Sequence, residues 1–310
     1  MRHRSLLPFI FLCAASSSAL AAAPSLYSDA VIRLGTYIPS ANSTYMATAI
    51  EDYQWSGGLA DTGDYSASFN GLDSFGDSQT TTFDARAKAF SDYGVLKAYA
   101  IATLTNPALN DANAPYVINT SFDVDPDGMP ESYSSEASAY FADVITLSTN
   151  ADVDYVRLSL DVSGAIGNSD YWGSTYANVS QNDGESFWSG FSTVGTLYSD
   201  GDHMQTFLTN PIPVIDGQFT FGLKLEAYAD FFSVTEGMEG ATATVETDFF
   251  STLAIGHVQG FDAAGAPVGL LAAQGASGTA YAVAAVPEPE TYAMFLAGLG
   301  LLGFVVRRRI

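Results

Sequence analysis

The chain has 310 residues, with 34 Asp and Glu against 11 Lys and Arg, a formal net charge of −23. Five of those bases are terminal (Arg2, Arg4, Arg307, Arg308 and Arg309), so the middle is more acidic than the whole. A body this anionic repels phosphate backbones, which argues against nucleic-acid binding, and its 47% hydrophobic and 13% aromatic content excludes a disordered acidic tail.

The first segment has the layout of a secretory signal peptide. Arg2 and Arg4 supply the charged region, Leu6 to Leu12 the apolar region, and Cys13 to Ala23 a run of small residues. Ala19 and Ala21 satisfy the small-residue requirement of signal peptidase, which places cleavage after Ala21, because Pro24 disfavours a cut after Ala23. The apolar run is too short to span a bilayer. Cys13 is the only cysteine and leaves with this leader, so the mature body has no disulfide, thiolate metal site or Cys nucleophile. The expected organisation is residues 1–21 as leader, 22–285 as one domain and 286–310 as a separate C-terminal segment.

The body reads as β-structure by its period of two. From Phe83 to Phe90, Ala85, Ala87 and Ala89 oppose Asp84, Arg86 and Lys88. A turn at Ser91 to Gly94 and a return from Val95 to Leu104 complete a hairpin. Tyr140 to Leu147, Val153 to Val162, Gln218 to Ala229, Ala243 to Ile255 and Ser277 to Val283 are further strands, with a turn at Asp262 to Gly265. Stretches rich in Gly, Ser, Asp and Asn read as long loops at Glu51 to Gln79, Ala108 to Ser135 and Gly164 to Asp202. No stretch of the body sustains a helical period. The expected fold is all-β, an antiparallel β-sandwich of jelly-roll type.

The body carries no nucleophile elbow, phosphate loop, zinc-protease helix or dinucleotide glycine pattern, so no catalytic residue is assigned and a non-enzymatic protein is expected. His203 follows the turn sequence Asp200-Gly-Asp202 and reads as a loop histidine; His257 reads as a strand residue. Two binding readings stay open. Asp123, Asp125 and Asp127 alternate before Gly128, with Glu131 following, which resembles the first half of an EF-hand calcium loop. Ser134 stands where that loop has its bidentate Glu, so Glu131 or Glu136 would have to compensate, and Asp-Pro-Asp-Gly is equally a good solvated turn. Calcium is therefore the one cofactor the residues suggest. Trp172 and Trp188, with Tyr171, Tyr176, Phe187 and Phe191, crowd the Gly164 to Asp202 region; such rings either stack on sugars or plug the end of the sandwich.

The last segment holds three features in fixed order: Val286-Pro287-Glu288-Pro289-Glu290, an apolar run of about 16 residues from Thr291 to Val306, and the basic tail Arg307, Arg308, Arg309. The run reads as a membrane helix, slightly short, and the arginines hold its end in the cytoplasm with the body outside. This order resembles the PEP-CTERM sorting signal of Gram-negative bacteria that make exopolysaccharide. The resemblance implies membrane insertion through the helix, processing by an exosortase near Pro-Glu-Pro, and delivery to the cell surface or beyond. It suggests a biofilm or extracellular-matrix protein with exopolysaccharide as partner. A plain C-terminal anchor differs only in keeping its tail.

Overall fold

From Gln218 to Phe231 every second side chain is apolar, a period that suits only a strand with one buried face. The computed structural model of the protein describes residues 24–36, 46–72, 78–105, 133–149, 152–168, 173–184, 190–231 and 242–281. Every regular element among them is a strand. In chain order these are β1 (Ser25–Thr36), β2 (Met46–Gln54), β3 (Gly58–Asp61), β4 (Tyr65–Leu72), β5 (Ser78–Asp92), β6 (Val95–Thr105), β7 (Tyr133–Leu147) and β8 (Tyr155–Asn168). There follow β9 (Gly173–Asn182), β10 (Ser192–Leu197), β11 (Gly201–Leu208), β12 (Ile212–Pro213), β13 (Gln218–Phe231), β14 (Thr242–Phe261), β15 (Pro267–Leu271), β16 (Ala273–Gly275) and β17 (Ala280–Tyr281).

Two sheets result, and every pairing in them is antiparallel. The first runs β10-β9-β13-β7-β1-β2; β16 also pairs with β7, and β17 with β16. The second runs β11-β8-β14-β6-β5-β3, with β12 beside β8, β15 beside β14 and β4 beside β5. The inner faces meet in one apolar cluster that reaches from Ala30 to Tyr281. Alanine lines its middle: Ala85, Ala87 and Ala89 on β5, Ala98, Ala100 and Ala102 on β6, and Ala137 and Ala139 on β7 are all buried. Side chains this short let the sheets approach closely there. Phe141, Phe221, Phe231 and Phe249 fill other parts of the same cluster.

Three buried hydroxyls tie sheet to sheet. Ser135 on β7 donates to the Arg86 carbonyl on β5 at 2.7 Å, and Thr247 on β14 donates to the Tyr228 carbonyl on β13 at 2.7 Å. Ser28 on β1 donates to the Gly58 carbonyl at 2.8 Å and lies 2.8 Å from the Ser91 hydroxyl. Each hydroxyl finds a partner inside, so its burial carries little desolvation cost.

The expected hairpin is β5 and β6, turned at Tyr93 and Gly94, where Gly94 takes φ 82°. The Asp262 turn joins β14 to β15; Asp262 accepts the Ala264 and Ala266 amides at 3.0 and 2.8 Å. Three expectations need correction. Glu51 to Gln79 is not one loop: it holds the end of β2, then β3 and β4, and the start of β5. Gly164 to Asp202 holds the end of β8, all of β9 and β10, and the start of β11. These strands hide because their faces are small and polar: β9 reads Gly-Ser-Thr-Tyr-Ala-Asn-Val-Ser-Gln-Asn, a loop composition with a strand period. Ser277 lies in the turn between β16 and β17, not on a strand. Arg86 explains why the β3 to β4 corner holds: it grips Asp61 with two nitrogens at 3.0 and 2.7 Å and Asp64 with a third at 2.9 Å.

Candidate functional site

The described chain enters and leaves at one end. β1 starts with Ser25 opposite Ala142 on β7, and β16 pairs with the next stretch of β7 through Gly275 opposite Ile145. Between them, at an inward position, sits Asp143, with 1% of its surface exposed. The Tyr281 hydroxyl donates to its Oδ2 at 2.7 Å and the Ser277 hydroxyl at 2.6 Å, while the Ser277 amide reaches Oδ1 at 3.2 Å. The nearby carboxylate and burial push the Tyr281 hydroxyl well above the usual phenol range, burial being the larger cause, so it stays a donor. A Cβ on Gly275 would collide with this carboxylate, so glycine is required for the close approach. The ring of Tyr281 also lies against Gly94 of the β5–β6 turn. This clasp fastens the last described strand six positions before Pro287.

The outward face of the first sheet carries rows of polar and aromatic groups. Register places Tyr53, Asp29, Ser138, Glu226 and Asn178 in one row across β2, β1, β7, β13 and β9. The next row holds Glu51, Val31, Glu136, Tyr228 and Tyr176. Arg33 pairs with Glu136, Lys224 bonds Glu226 at 2.7 Å, and the Tyr176 and Tyr228 rings stack at 4.9 Å. At the β2 edge, Trp55 stands 4.7 Å from Tyr27 and 6.1 Å from Tyr53, centroid to centroid. Trp55 is 60% exposed and Tyr53 52%. Tyr27 is itself buried and continues inward to Tyr140, Ala142 and Phe191, over whose ring Lys224 sits at 4.4 Å.

Two carboxylates on this face are held away from their ordinary state. Burial pushes Asp29 up to about 6, and Glu51 adds to the rise, while Arg33 and a hydrogen bond from Tyr27 oppose it. Burial pushes Asp230 up to about 7, against a hydrogen bond from Tyr228; Glu136 adds to the rise. Asp230 is only 7% exposed and its Oδ1 has no hydrogen-bond partner.

On the second sheet, a shallow cavity of about 410 Å³ opens where β14 bulges between Phe249 and Leu253. Ser163, Asp202, His203, Asp248 and Ser251 line it. His203 is not a loop residue: it lies on β11, largely buried, with its ring 6.1 Å from that of Phe249. Its Nε2–H donates to the Ser199 carbonyl at 2.6 Å, which fixes the tautomer and gives the ring a packing role. His257 lies on β14, on a strand as expected.

The residues singled out from the sequence as sites fall outside the described residues. This holds for Ala19 and Ala21, for Asp123, Asp125, Asp127 and Glu131, for Trp172 and Trp188, and for Val286 to Glu290 and Arg307 to Arg309. Of the aromatic crowd, Tyr176 and Phe191 are described, and both belong to the outward face of the first sheet. Among the described residues, no three His, Cys, Asp or Glu side chains converge as metal ligands. Sequence reasoning missed the Tyr27, Tyr53 and Trp55 cluster. The signal was present in Tyr27-x-Asp29 and Tyr53-x-Trp55, each an outward pair at strand spacing, but the pairing of β1 with β2 is what unites them.

Compared with known proteins, the chain matches no curated relative. Residues 285–309 match the PEP-CTERM protein-sorting motif. That motif implies an exosortase as processing partner, and export through the membrane to the cell surface or extracellular space. Following a body whose last described strand is clasped at Tyr281, the C-terminal end of this chain is a PEP-CTERM sorting signal.

Proposed function

We propose that the protein is a non-enzymatic component of the cell surface or extracellular matrix, sorted by an exosortase and displayed together with exopolysaccharide. The sorting motif at residues 285–309 carries this reading. Three further features support it. The body has the two-sheet form of a β-sandwich, jelly-roll-like in that β6, β7, β8 and β9 alternate between the sheets. Its core is built without cysteine, which suits export with no dependence on disulfide formation. Its first strand, β1, and β16, which carries the last described strand β17, lie along the same edge of β7, so leader and sorting helix would meet the membrane from one end of the body.

In this reading signal peptidase cuts after Ala21, the helix from Thr291 to Val306 holds the intermediate in the inner membrane, and cleavage near Pro287 frees it. The short stretch after Tyr281 sets the reach. Six residue steps to Pro287 span at most about 21 Å, so the body stands close over the membrane when the exosortase acts. Replacing Pro287, Glu288 and Pro289 together by Ala should leave the tail uncut and the protein in the inner membrane. Fractionation with mass analysis of the C-terminus reads the result. A triple variant that still reaches the surface without its tail overturns the proposal.

A further inference from the structure

We propose that the outward face of the first sheet binds a cationic glycan, a polysaccharide with free amino groups, whose sugar rings stack on Trp55 and Tyr53 and whose ammonium groups meet Asp29 and Glu51. This rests on the surface-matrix reading and deepens it by naming the class of polysaccharide.

The aromatic part comes from exposure. Trp55 and Tyr53 are more than half exposed, with one residue between them at the end of β2, and Trp55 packs against the buried Tyr27 and against Tyr53, so the outer rings are held in place. A sugar ring offers an apolar C–H face to such rings and hydroxyl donors to carboxylates beside them. Asp29 lies opposite Tyr53 in register, and Glu51 is two residues along the same strand on the same face. From β2 to β9 the face crosses four interstrand steps, about 19 Å, enough for a short oligosaccharide.

The charge part comes from what is left after pairing. Arg33 takes Glu136 and Lys224 takes Glu226, while Asp29, Glu51 and Asp230 make no salt bridge among the described residues. Asp230, on the same face, is more than nine-tenths buried with one carboxylate oxygen unpartnered. Asp29 and Glu51, held by no salt bridge among the described residues of a chain of net charge −23, attract a polycation and repel a uronate polymer. An ammonium over an aromatic ring gains further from the negative ring face. A neutral glycan satisfies the rings and leaves the carboxylates as they were.

The test uses the full-length chain in detergent micelles, titrated calorimetrically with a chitosan hexamer, its fully N-acetylated counterpart and a uronate oligosaccharide of equal length. Binding to the chitosan hexamer is expected, weakening as salt rises, with none to the uronate. Trp55→Ala should weaken it roughly five- to tenfold. The pair Asp29→Asn and Glu51→Gln should weaken it on the order of tenfold and flatten the salt dependence. Melting curves matching the parent show that the variants fold. Equal affinity for the acetylated hexamer, affinity unmoved by Trp55→Ala, or no binding at all overturns the proposal. These variants leave the sorting motif intact, so correct surface delivery with no glycan binding would fail this inference alone, and a failure of sorting is read in a different assay.

Discussion

Asp230 shows what one outward residue can cost. It lies beside Tyr228 and across from Ser134 and Ser174, and its neighbours remove nearly all water from it. Its carboxyl is held at about 7, against 3.8 ordinarily. Folding therefore favours the protonated form. The unfolded chain ionises from about pH 4 while the folded protein resists, so stability falls between roughly pH 4 and 7 and levels off above. A shift of this size corresponds to on the order of 4 kcal/mol at most. Asp230→Asn, which keeps the shape and removes the charge, should be the more stable protein at pH 8, and the difference should vanish by pH 4. Urea titrations at the two pH values check it; equal stability at pH 8 would mean that the carboxylate is solvated. Asp143 is the contrasting case, a buried carboxylate with four donors, the Val144 amide among them. Tyr281→Phe removes one of them and keeps the ring in the core, so it should cost about 1–3 kcal/mol in the same titration.

At the scale of the element, alanine decides how the sheets meet. On β6 the buried positions are Leu96, Ala98, Ala100, Ala102 and Leu104, and Ala85, Ala87 and Ala89 sit beside them on β5. Ala100 has no exposed surface and pairs with Ala87 and Thr247 on its two sides. Ala100→Leu adds volume where the facing sheet stands close, and should cost about 1–3 kcal/mol rather than gain from added apolar area. Thermal melts separate the outcomes: a raised melting temperature would reveal unfilled space. The strands of this kind were legible in the sequence because one face is purely apolar; β13 is the clearest, with Phe219, Phe221, Leu223, Leu225, Ala227 and Ala229 all buried. β9 was not, since its inward Thr175 and Gln181 and its outward Ser174, Asn178 and Ser180 are the residues of loops. Gln181 is held in by the Asn210 amide, which donates to its Oε1 at 2.6 Å, a partner 29 residues away that no local pattern announces. The candidate sites divide the same way. A sorting signal is linear, so composition and order suffice to find it. The outward aromatic face is assembled by register between β1 and β2, which only folding supplies.

For the whole molecule the dominant fact is unbalanced charge. Of the few cations outside the terminal segments, Arg33, Arg86 and Lys224 sit in ion pairs, and Lys88 and Lys97 both lie over Phe250, at 6.0 and 5.6 Å. Little positive charge is left to offset the remaining carboxylates, and their mutual repulsion opposes the compact state. Added salt acts on both terms. It weakens the surface ion pairs, each contributing about 0–1 kcal/mol, and it screens repulsion among carboxylates spread over the whole surface. The pairs are few and the excess of anions is 23, so the second effect should win. Raising sodium chloride from 10 to 500 mM at pH 7.5 should therefore raise the melting temperature by a few degrees, since about 1 kcal/mol moves a body of this size by roughly 2–4 °C. Reductant should change nothing in the same melts once the leader with Cys13 is removed. A melting temperature that falls with salt would place the balance in the ion pairs around Arg86 and Arg33, and Arg86→Met would then be the variant that loses the salt response.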